Sequence, residues 1–253
     1  MLEGKLALVA GVANRRSIAW AIAQALHEAG AKLAFTYQGE RLEKDVRKLA
    51  ASVDSDVVVA CDVRDDADLD RAFADVAAGL GGLDLMVHSI AFAQAHDLQG
   101  RYIDTARDDF LLALDVSCYS LTAMARRAEP LMQERGGGSI VTLTYLGGER
   151  AVPRYNIMGV AKSALDASVR YLASDLGPSN VCVNAVSAGP VRTLAARSIP
   201  GFTTMEEIVA ERSPLKRNIE ATDVAAAAVY LLGAPNVTGT TVYVDAGYHA
   251  MGM

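Results

Sequence analysis

Cysteine is scarce in this sequence. Among 253 residues only three occur, Cys61, Cys118 and Cys182. Their number is odd, they lie far apart, and they lack the spacing of metal ligands. These features predict free thiols in a reducing compartment, so we expect a cytoplasmic protein with neither a disulfide framework nor a metal site.

Long apolar runs and an excess of basic residues are also missing. No run approaches the roughly 18 apolar residues of a membrane span. The first apolar run, residues 6–13, follows Glu3 and precedes Arg15 and Arg16, which is the wrong length and charge order for a secretory signal. The formal net charge of −6 argues against nucleic acid as the main partner.

Apolar residues, in contrast, make up 51% of the chain, which is enough for a sizeable core. Chains of this length with α/β patterning are commonly single domains, and no linker, repeat or low-complexity segment interrupts the sequence. We therefore expect one domain over residues 1–253.

Short apolar runs alternate with amphipathic segments along the chain. The runs predict strands at Lys5–Ala10, Lys32–Tyr37, Asp56–Ala60, Leu83–Ser89, Ser139–Tyr145, Val181–Val186 and Thr241–Val244. The segments between them predict helices at Ser17–Ala29, Glu40–Ala51, Asp65–Leu80, Asp108–Arg135, Pro153–Asp175 and Thr222–Leu232. This alternation predicts an α/β fold of the Rossmann type, a doubly wound, seven-stranded parallel sheet with helices on both faces. An eight-stranded α/β barrel alternates similarly, but the break at Gly11 after the first strand favours the doubly wound sheet.

Two phenols and an ammonium group stand out between Thr144 and Lys162. Tyr145 follows a buried strand, and parallel sheets place their ligands at the carboxyl ends of strands. Tyr155 and Lys162 lie seven positions apart on a predicted helix, close to two turns, so both project from one face. A phenol beside an ammonium group is suited to donate a hydrogen bond to a developing oxyanion.

The segment YNIMGVAK, residues 155–162, resembles the Tyr-x6-Lys signature of the bacterial enoyl-acyl carrier protein reductases, a divergent branch of the short-chain dehydrogenases. The ordinary branch has Tyr-x3-Lys, and here that tyrosine position is Met158, which cannot donate a proton. The resemblance extends from Leu6 to the C-terminus. It implies NADH-dependent reduction of trans-2-enoyl thioesters, in which Tyr155 donates to the thioester oxygen and Lys162 holds the nicotinamide ribose. Tyr145 would either orient the thioester or share the donor role.

The loop after the first strand, residues 11–19, lacks the glycine fingerprint G-x-G-x-x-G and retains only Gly11. Ser17 and Ala19 stand where an ordinary short-chain dehydrogenase has glycines, as in the enoyl reductase branch. Ser17 can cap the first helix and offer its hydroxyl to a pyrophosphate at the positive end of the helix dipole. The resemblance also implies cofactor contact by Ile18.

The end of the second strand carries Gln38 where an NAD-binding fold often has an acidic residue. An amide can hydrogen-bond the ribose hydroxyls and brings no positive charge for a 2′-phosphate, so we expect NADH rather than NADPH. Arg41 is the one nearby group that favours a phosphate.

The resemblance implies the remaining site residues. Asp62 and Val63 would hold the adenine, Ile90 would touch the cofactor, and Ala93 would border the acyl site. The cofactor segment after the sixth strand comprises Val191, Arg192, Thr193, Leu194 and Ala195. A substrate lid would span about residues 192–212, with its loop and short helix from residue 198 onward. His88 suggests a general base, but inside an apolar strand we interpret it as a packed core residue.

The implied partner is an acidic acyl carrier protein, and the implied assembly is a homotetramer. We hypothesise that some of four cations near the lid meet the carrier, namely Arg192, Arg197, Lys216 and Arg217. Solvated surface charge is the alternative for these four residues. Two further readings of the whole chain stay open, another short-chain oxidoreductase such as a ketoacyl reductase and a dinucleotide-binding regulator without turnover.

Overall fold

The predicted strands form one parallel sheet in the computed structural model, which describes residues 2–193, 196 and 201–252. The strand order is β3-β2-β1-β4-β5-β6-β7, and every neighbouring pair is parallel. The strands are β1 (Leu6–Ala10), β2 (Lys32–Tyr37), β3 (Val57–Ala60), β4 (Leu85–His88), β5 (Gly138–Thr144), β6 (Val181–Ala188) and β7 (Thr241–Val244). The open sheet confirms the doubly wound prediction and excludes the barrel.

Helices cover both faces of the sheet. They are α1 (Ile18–Glu28), α2 (Glu40–Ala51), α3 (Asp66–Leu80), α4 (Arg107–Leu114), α5 (Ser120–Gln133), α6 (Asn156–Leu176), α7 (Phe202–Arg212) and α8 (Ala221–Gly233). One core joins α1, α2 and α8 to the sheet, and the other joins α3, α5 and α6 to the opposite face. No helix in the described part of the chain is long and apolar enough to cross a membrane.

Strand β1 shows why the sequence reads as an unbroken apolar run. Ala7 and Val9 belong to the first core, whereas Leu8 and Ala10 belong to the second. Successive side chains of a strand point to opposite faces. Because both faces are covered, all five residues of β1 are buried, and the run shows no alternation.

The predicted long helix over Asp108–Arg135 is wrong in one respect. The structure has α4, then a π-helical segment at Asp115–Tyr119, and then α5. A π turn inserts an extra residue into the helical repeat, and such turns often occur near functional sites. Ser117 in this segment hydrogen-bonds both backbone groups of Phe92, at 2.9 and 3.0 Å. The interruption therefore ties the helix to the loop that follows β4.

The predicted helix start at Pro153 is also wrong. Pro153 lies in a turn, and α6 begins at Asn156 with Tyr155 as the preceding residue. Arg154 and Asn156 have positive φ values of 67° and 41°, which are incompatible with a continuous right-handed helix. Local backbone geometry, which the proline signal alone does not reveal, sets the position of Tyr155.

Candidate active site

The cleft opens where the strand order reverses, between β1 and β4, the place where open α/β sheets bind ligands. Gly11 ends β1 there with φ of 102°, and a Cβ at this position would overlap the backbone carbonyl of Ser89 after β4. Only glycine allows this close approach of the two strand ends. The predicted glycine thus shapes the floor of the cleft.

A cavity of about 510 Å³ runs from this floor along the ends of β1, β2 and β3. Most of the predicted cofactor residues line it, namely Gly11, Ser17, Ile18, Gln38, Val63, Ile90, Lys162 and Thr193. Val191 lines the neighbouring cavity instead. Leu194 and Ala195 lie outside the described residues. An elongated site across the switch point is the shape that a dinucleotide requires.

Ser17 does not cap α1 as predicted. It occupies the N-cap position, but its side chain makes no capping hydrogen bond. Its Oγ instead accepts hydrogen bonds from the backbone N–H groups of Ala13 and Asn14, both at 3.1 Å. The serine therefore closes the loop and still faces the cavity.

Asp62 is adjacent to the cavity but is not among its lining residues. Its carboxylate accepts a hydrogen bond from the Arg64 guanidinium at 2.6 Å. Arg64, with help from the Gln38 amide, lowers the pKa of Asp62 to about 2, so the group stays ionised. Arg41 lines the cavity close to Gln38 in the sequence. Both signs of charge therefore occur at this end.

Lys162 lies at the junction of two cavities, the one just described and a second of about 370 Å³. Its Nζ donates a hydrogen bond to the Leu143 carbonyl at 2.8 Å, while the residue is buried. Burial lowers the pKa of Lys162 to about 8, and Asp166 opposes that shift. An ammonium group has three N–H donors, and within the described part of the chain only one of them is used. The other two can donate to a bound ligand.

Both tyrosines line the second cavity, so the prediction that Tyr155 and Lys162 share one side is confirmed. The rings of Tyr145 and Tyr155 meet edge to face with centroids 4.9 Å apart. Burial raises the pKa of Tyr145 to about 12 and raises that of Tyr155 as well. Both hydroxyls therefore keep their protons at neutral pH, as hydrogen-bond donors must.

A tight 3₁₀ turn at Leu146–Gly148 holds Tyr155 in place. A Cβ on Gly147 would lie 2.5 Å from Cδ1 of the Tyr155 ring, so the ring packs directly on the backbone of the turn. On its other side the ring belongs to a small cluster with Leu98 and Met158. The phenol is thus fixed by packing from two directions.

The second cavity is mostly apolar. Ala93 lines it as predicted, together with Leu98, Met158 and Met205. The two cavities share Ile18, Ala91, Phe92, Leu143, Lys162 and Thr193, so they meet along one wall. An apolar chain in one cavity and a dinucleotide in the other would therefore approach each other beside Lys162.

His88 is a core residue, as predicted. Its two ring nitrogens hydrogen-bond the hydroxyls of Thr142 and Ser120 at 2.8 and 2.9 Å. Burial lowers the pKa of His88 to about 3, so it stays neutral. It lines neither cavity.

The four predicted carrier-docking cations differ in their surroundings. Arg192 pairs with Glu206 of α7 at 2.8 Å, which anchors the segment after β6 to that helix. Lys216 donates to the Glu211 carbonyl at 2.6 Å and, like Arg217, is exposed. Arg197 lies outside the described residues.

Two residues of the site were missed in the sequence analysis. The Met205 sulfur lies 3.2 Å from the Tyr145 hydroxyl, and no sequence motif predicts this contact. Asp166 lies one helical turn beyond Lys162, and its buried Oδ1 has no hydrogen-bond partner in the described structure. Its spacing of four residues from Lys162 is a signal that could have found it.

Comparisons with known proteins agree with this geometry. The family model described as "Enoyl-(Acyl carrier protein) reductase" matches residues 11–249. The chain is 50% identical to the enoyl-[acyl-carrier-protein] reductase [NADH] FabI of Bacillus subtilis, covering 98% of this chain and 97% of that protein. It is 48% identical to the NADPH enzyme of Staphylococcus aureus strain MRSA252, covering 99% and 98%.

Solved structures are equally similar. The Bacillus cereus enoyl-acyl carrier protein reductase with NADP+ and indole naphthyridinone has a TM-score of 0.97 at 50% identity, covering 100% of this chain and 99% of that one. The Anaplasma phagocytophilum reductase in complex with NAD has a TM-score of 0.95 at 48% identity, covering 100% and 96%. The chain belongs to the enoyl-acyl carrier protein reductase family.

Proposed function

We propose that this protein is an NADH-dependent enoyl-acyl carrier protein reductase. It reduces the trans-2 double bond of enoyl thioesters in the last step of each cycle of fatty acid elongation. The observation that carries the proposal is the position of Lys162, buried where a dinucleotide-shaped cavity meets an apolar cavity that contains two phenols. Family membership supports the same reaction.

The residues of the first cavity fit a nicotinamide dinucleotide. Gly11 lies at its floor, and the walls are formed by Ser17, Ile18, Gln38, Val63, Ile90 and Thr193. Asp62 is proposed for the adenine end, beside this cavity. Val191 and Arg192 remain proposed contacts, and so do Leu194 and Ala195. Bound NADH supplies the hydride that the reduction requires.

We propose NADH over NADPH because of the charges near Gln38. The Asp62 carboxylate, whose pKa is about 2, pairs with Arg64, so the pair brings no net positive charge for a 2′-phosphate. Gln38 offers an amide to the ribose hydroxyls. Arg41 is the opposing group, and the relatives include both NADH and NADPH enzymes.

In this mechanism the hydroxyl of Tyr155 stabilises the negative charge that develops on the thioester oxygen. Burial keeps the phenol protonated and excludes water, so the hydrogen bond is preorganised for the transition state. Tyr145, whose ring packs edge to face against that of Tyr155, orients the thioester. Lys162 directs its remaining N–H groups to the ribose, and its positive charge stabilises the nearby oxyanion.

Helix α7 is proposed as the lid, within residues 192–212. Phe202 and Met205 of this helix line the apolar cavity, and Met205 contacts the Tyr145 hydroxyl. A thioester that reaches Tyr145 would have to displace this methionine. The flexible, polarizable side chain of methionine suits that exchange.

An acyl carrier protein as partner, a homotetramer and a cytoplasmic location complete the proposal. The three cysteines are unpaired, which supports a reducing compartment. A ketoacyl reductase is the second candidate function, and it would need a donor at position 158. Met158 there cannot supply one and instead packs against Tyr155 in the apolar cluster.

The first test follows NADH absorbance with crotonyl-coenzyme A and then with acetoacetyl-coenzyme A. Oxidation with the first substrate only is expected. Oxidation with the second substrate only would favour a ketoacyl reductase, and none with either would favour a regulator without turnover. Repeating the assay with NADPH tests the cofactor preference, for which a lower kcat/KM is expected.

Tyr155→Phe should lower kcat by about 10², the scale of losing one oxyanion donor, because it removes only the hydroxyl. NADH affinity, measured by fluorescence titration, should stay unchanged. Tyr171→Phe is the matched control, since Tyr171 is an exposed tyrosine of α6, the helix that follows Tyr155. Wild-type turnover of Tyr155→Phe would refute the role given to this phenol.

Asp166→Asn should move the alkaline limb of the activity profile to lower pH by about one unit, the scale of one nearby charge. Lys162 has a pKa of about 8, which Asp166 raises, so removing that carboxylate lets Lys162 lose its proton earlier. The measurement is kcat against pH. Asp175→Asn, an exposed position on α6, is the control, and equal limbs in the two variants would contradict the coupling.

The double charge reversal Lys216→Glu with Arg217→Glu tests the proposed docking of the carrier. Because the carrier is acidic, we expect kcat/KM to fall for crotonyl-acyl carrier protein but not for crotonyl-coenzyme A. A matched reversal of Lys44 and Lys48, exposed on α2, should affect neither substrate. Equal losses with both substrates would argue against a dock at these residues.

A further inference from the structure

A cluster of possible metal ligands lies next to Leu98, a residue that lines the apolar cavity. His96 and Asp97 belong to the short 3₁₀ helix Ala95–Leu98, and Asp109 lies in the first turn of α4. One ligand atom from each of the three residues lies within 4.8 Å of the others. His96 Nε2 is 2.9 Å from Asp109 Oδ2 and 3.8 Å from Asp97 Oδ1.

Asp97 is the unusual member of the cluster. Its side chain is only 3% exposed, and its Oδ2 is buried without a hydrogen-bond partner in the described part of the chain. Buried carboxylates are normally paired or bound to a metal, because burial of an unpaired charge is costly.

The charge count favours a divalent cation. Two carboxylates and a neutral imidazole carry a charge of −2, which a protonated His96 only half cancels and which one divalent ion cancels fully. The spacing also fits. Ligand atoms around tetrahedral zinc, with bonds of about 2.0–2.2 Å, lie about 3.4 Å apart. The observed 2.9 and 3.8 Å bracket that value.

We propose that His96, Asp97 and Asp109 form a Zn²⁺ site, with solvent as the fourth ligand. Imidazole with two carboxylates suits zinc and its first-row neighbours, whereas Mg²⁺ prefers oxygen ligands alone. His96 is exposed, so the ion has a direct path from solvent. The prediction of no metal site came from the spacing of the cysteines, whereas this cluster joins two elements, with Asp109 twelve residues beyond Asp97.

The site connects to the apolar cavity through its neighbour. Leu98, next to Asp97, lines that cavity and packs against Tyr155 and Met158. The Asn156 amide donates to the Asp97 carbonyl at 2.8 Å. A bound ion would therefore fasten α4 to the segment that forms one wall of the cavity. The inference does not depend on the reaction proposed above.

Isothermal titration of the full chain with ZnCl₂ tests the site. We expect one Zn²⁺ per chain, with affinity at least about tenfold lower in His96→Gln and in Asp109→Asn. Asp108→Asn removes the adjacent exposed carboxylate of α4, and His27→Gln removes another histidine that faces a carboxylate, 3.8 Å from Asp54. Neither control should change the affinity. MgCl₂ should not bind at the same concentrations.

A second measurement guards against variants that merely fold poorly. Zn²⁺ should raise the Tm of the wild-type chain and of both controls, but not that of the double variant that combines His96→Gln and Asp109→Asn. The circular dichroism spectrum of this double variant should match that of the wild type. Co²⁺ should give d–d absorption bands in the wild type and in both controls, but not in the double variant. Absence of binding, or equal binding in the wild type and the ligand variants, would overturn the proposal and support a protonated His96 between the two carboxylates.

Discussion

The buried ammonium group of Lys162 is the interaction on which the rest of the site depends. A charged group without solvent needs partners, and here the Leu143 carbonyl at the end of β5 supplies one at 2.8 Å. That contact joins α6 to the sheet beside the point where the two cavities meet. The buried positive charge of Lys162 therefore lies where a ligand in either cavity can supply further hydrogen-bond acceptors.

The turn between β5 and α6 supports this arrangement by packing. Gly147 lets the backbone touch the Tyr155 ring, and the left-handed conformations of Arg154 and Asn156 set where the helix begins. Asn156 in turn holds the backbone of Asp97 and Gly100. Strained backbone of this kind persists where surrounding contacts determine it, and it commonly marks functional sites.

Opposing charges tune the same small region. Burial lowers the pKa of Lys162, and the Asp166 carboxylate, one helical turn away, opposes that shift. The phenols respond to burial in the opposite sense and keep their protons. The same apolar environment thus keeps the Tyr155 phenol neutral and brings the pKa of Lys162 close to neutral pH.

The sequence by itself determined the parallel sheet and its seven strands, and most of the site residues that it predicts line one of the two cavities. Apolar strands such as β1 and the seven-residue spacing from Tyr155 to Lys162 are local periodic signals, and a local signal is readable without the fold. Only the tertiary structure decided the closed loop at Ser17, the π segment after Leu114, the start of α6, and the contacts of Met205 and Asp97. Met205 and Asp97 contact atoms from distant parts of the chain, which no local pattern encodes. The other three features depend on local backbone conformations that the residue pattern leaves open.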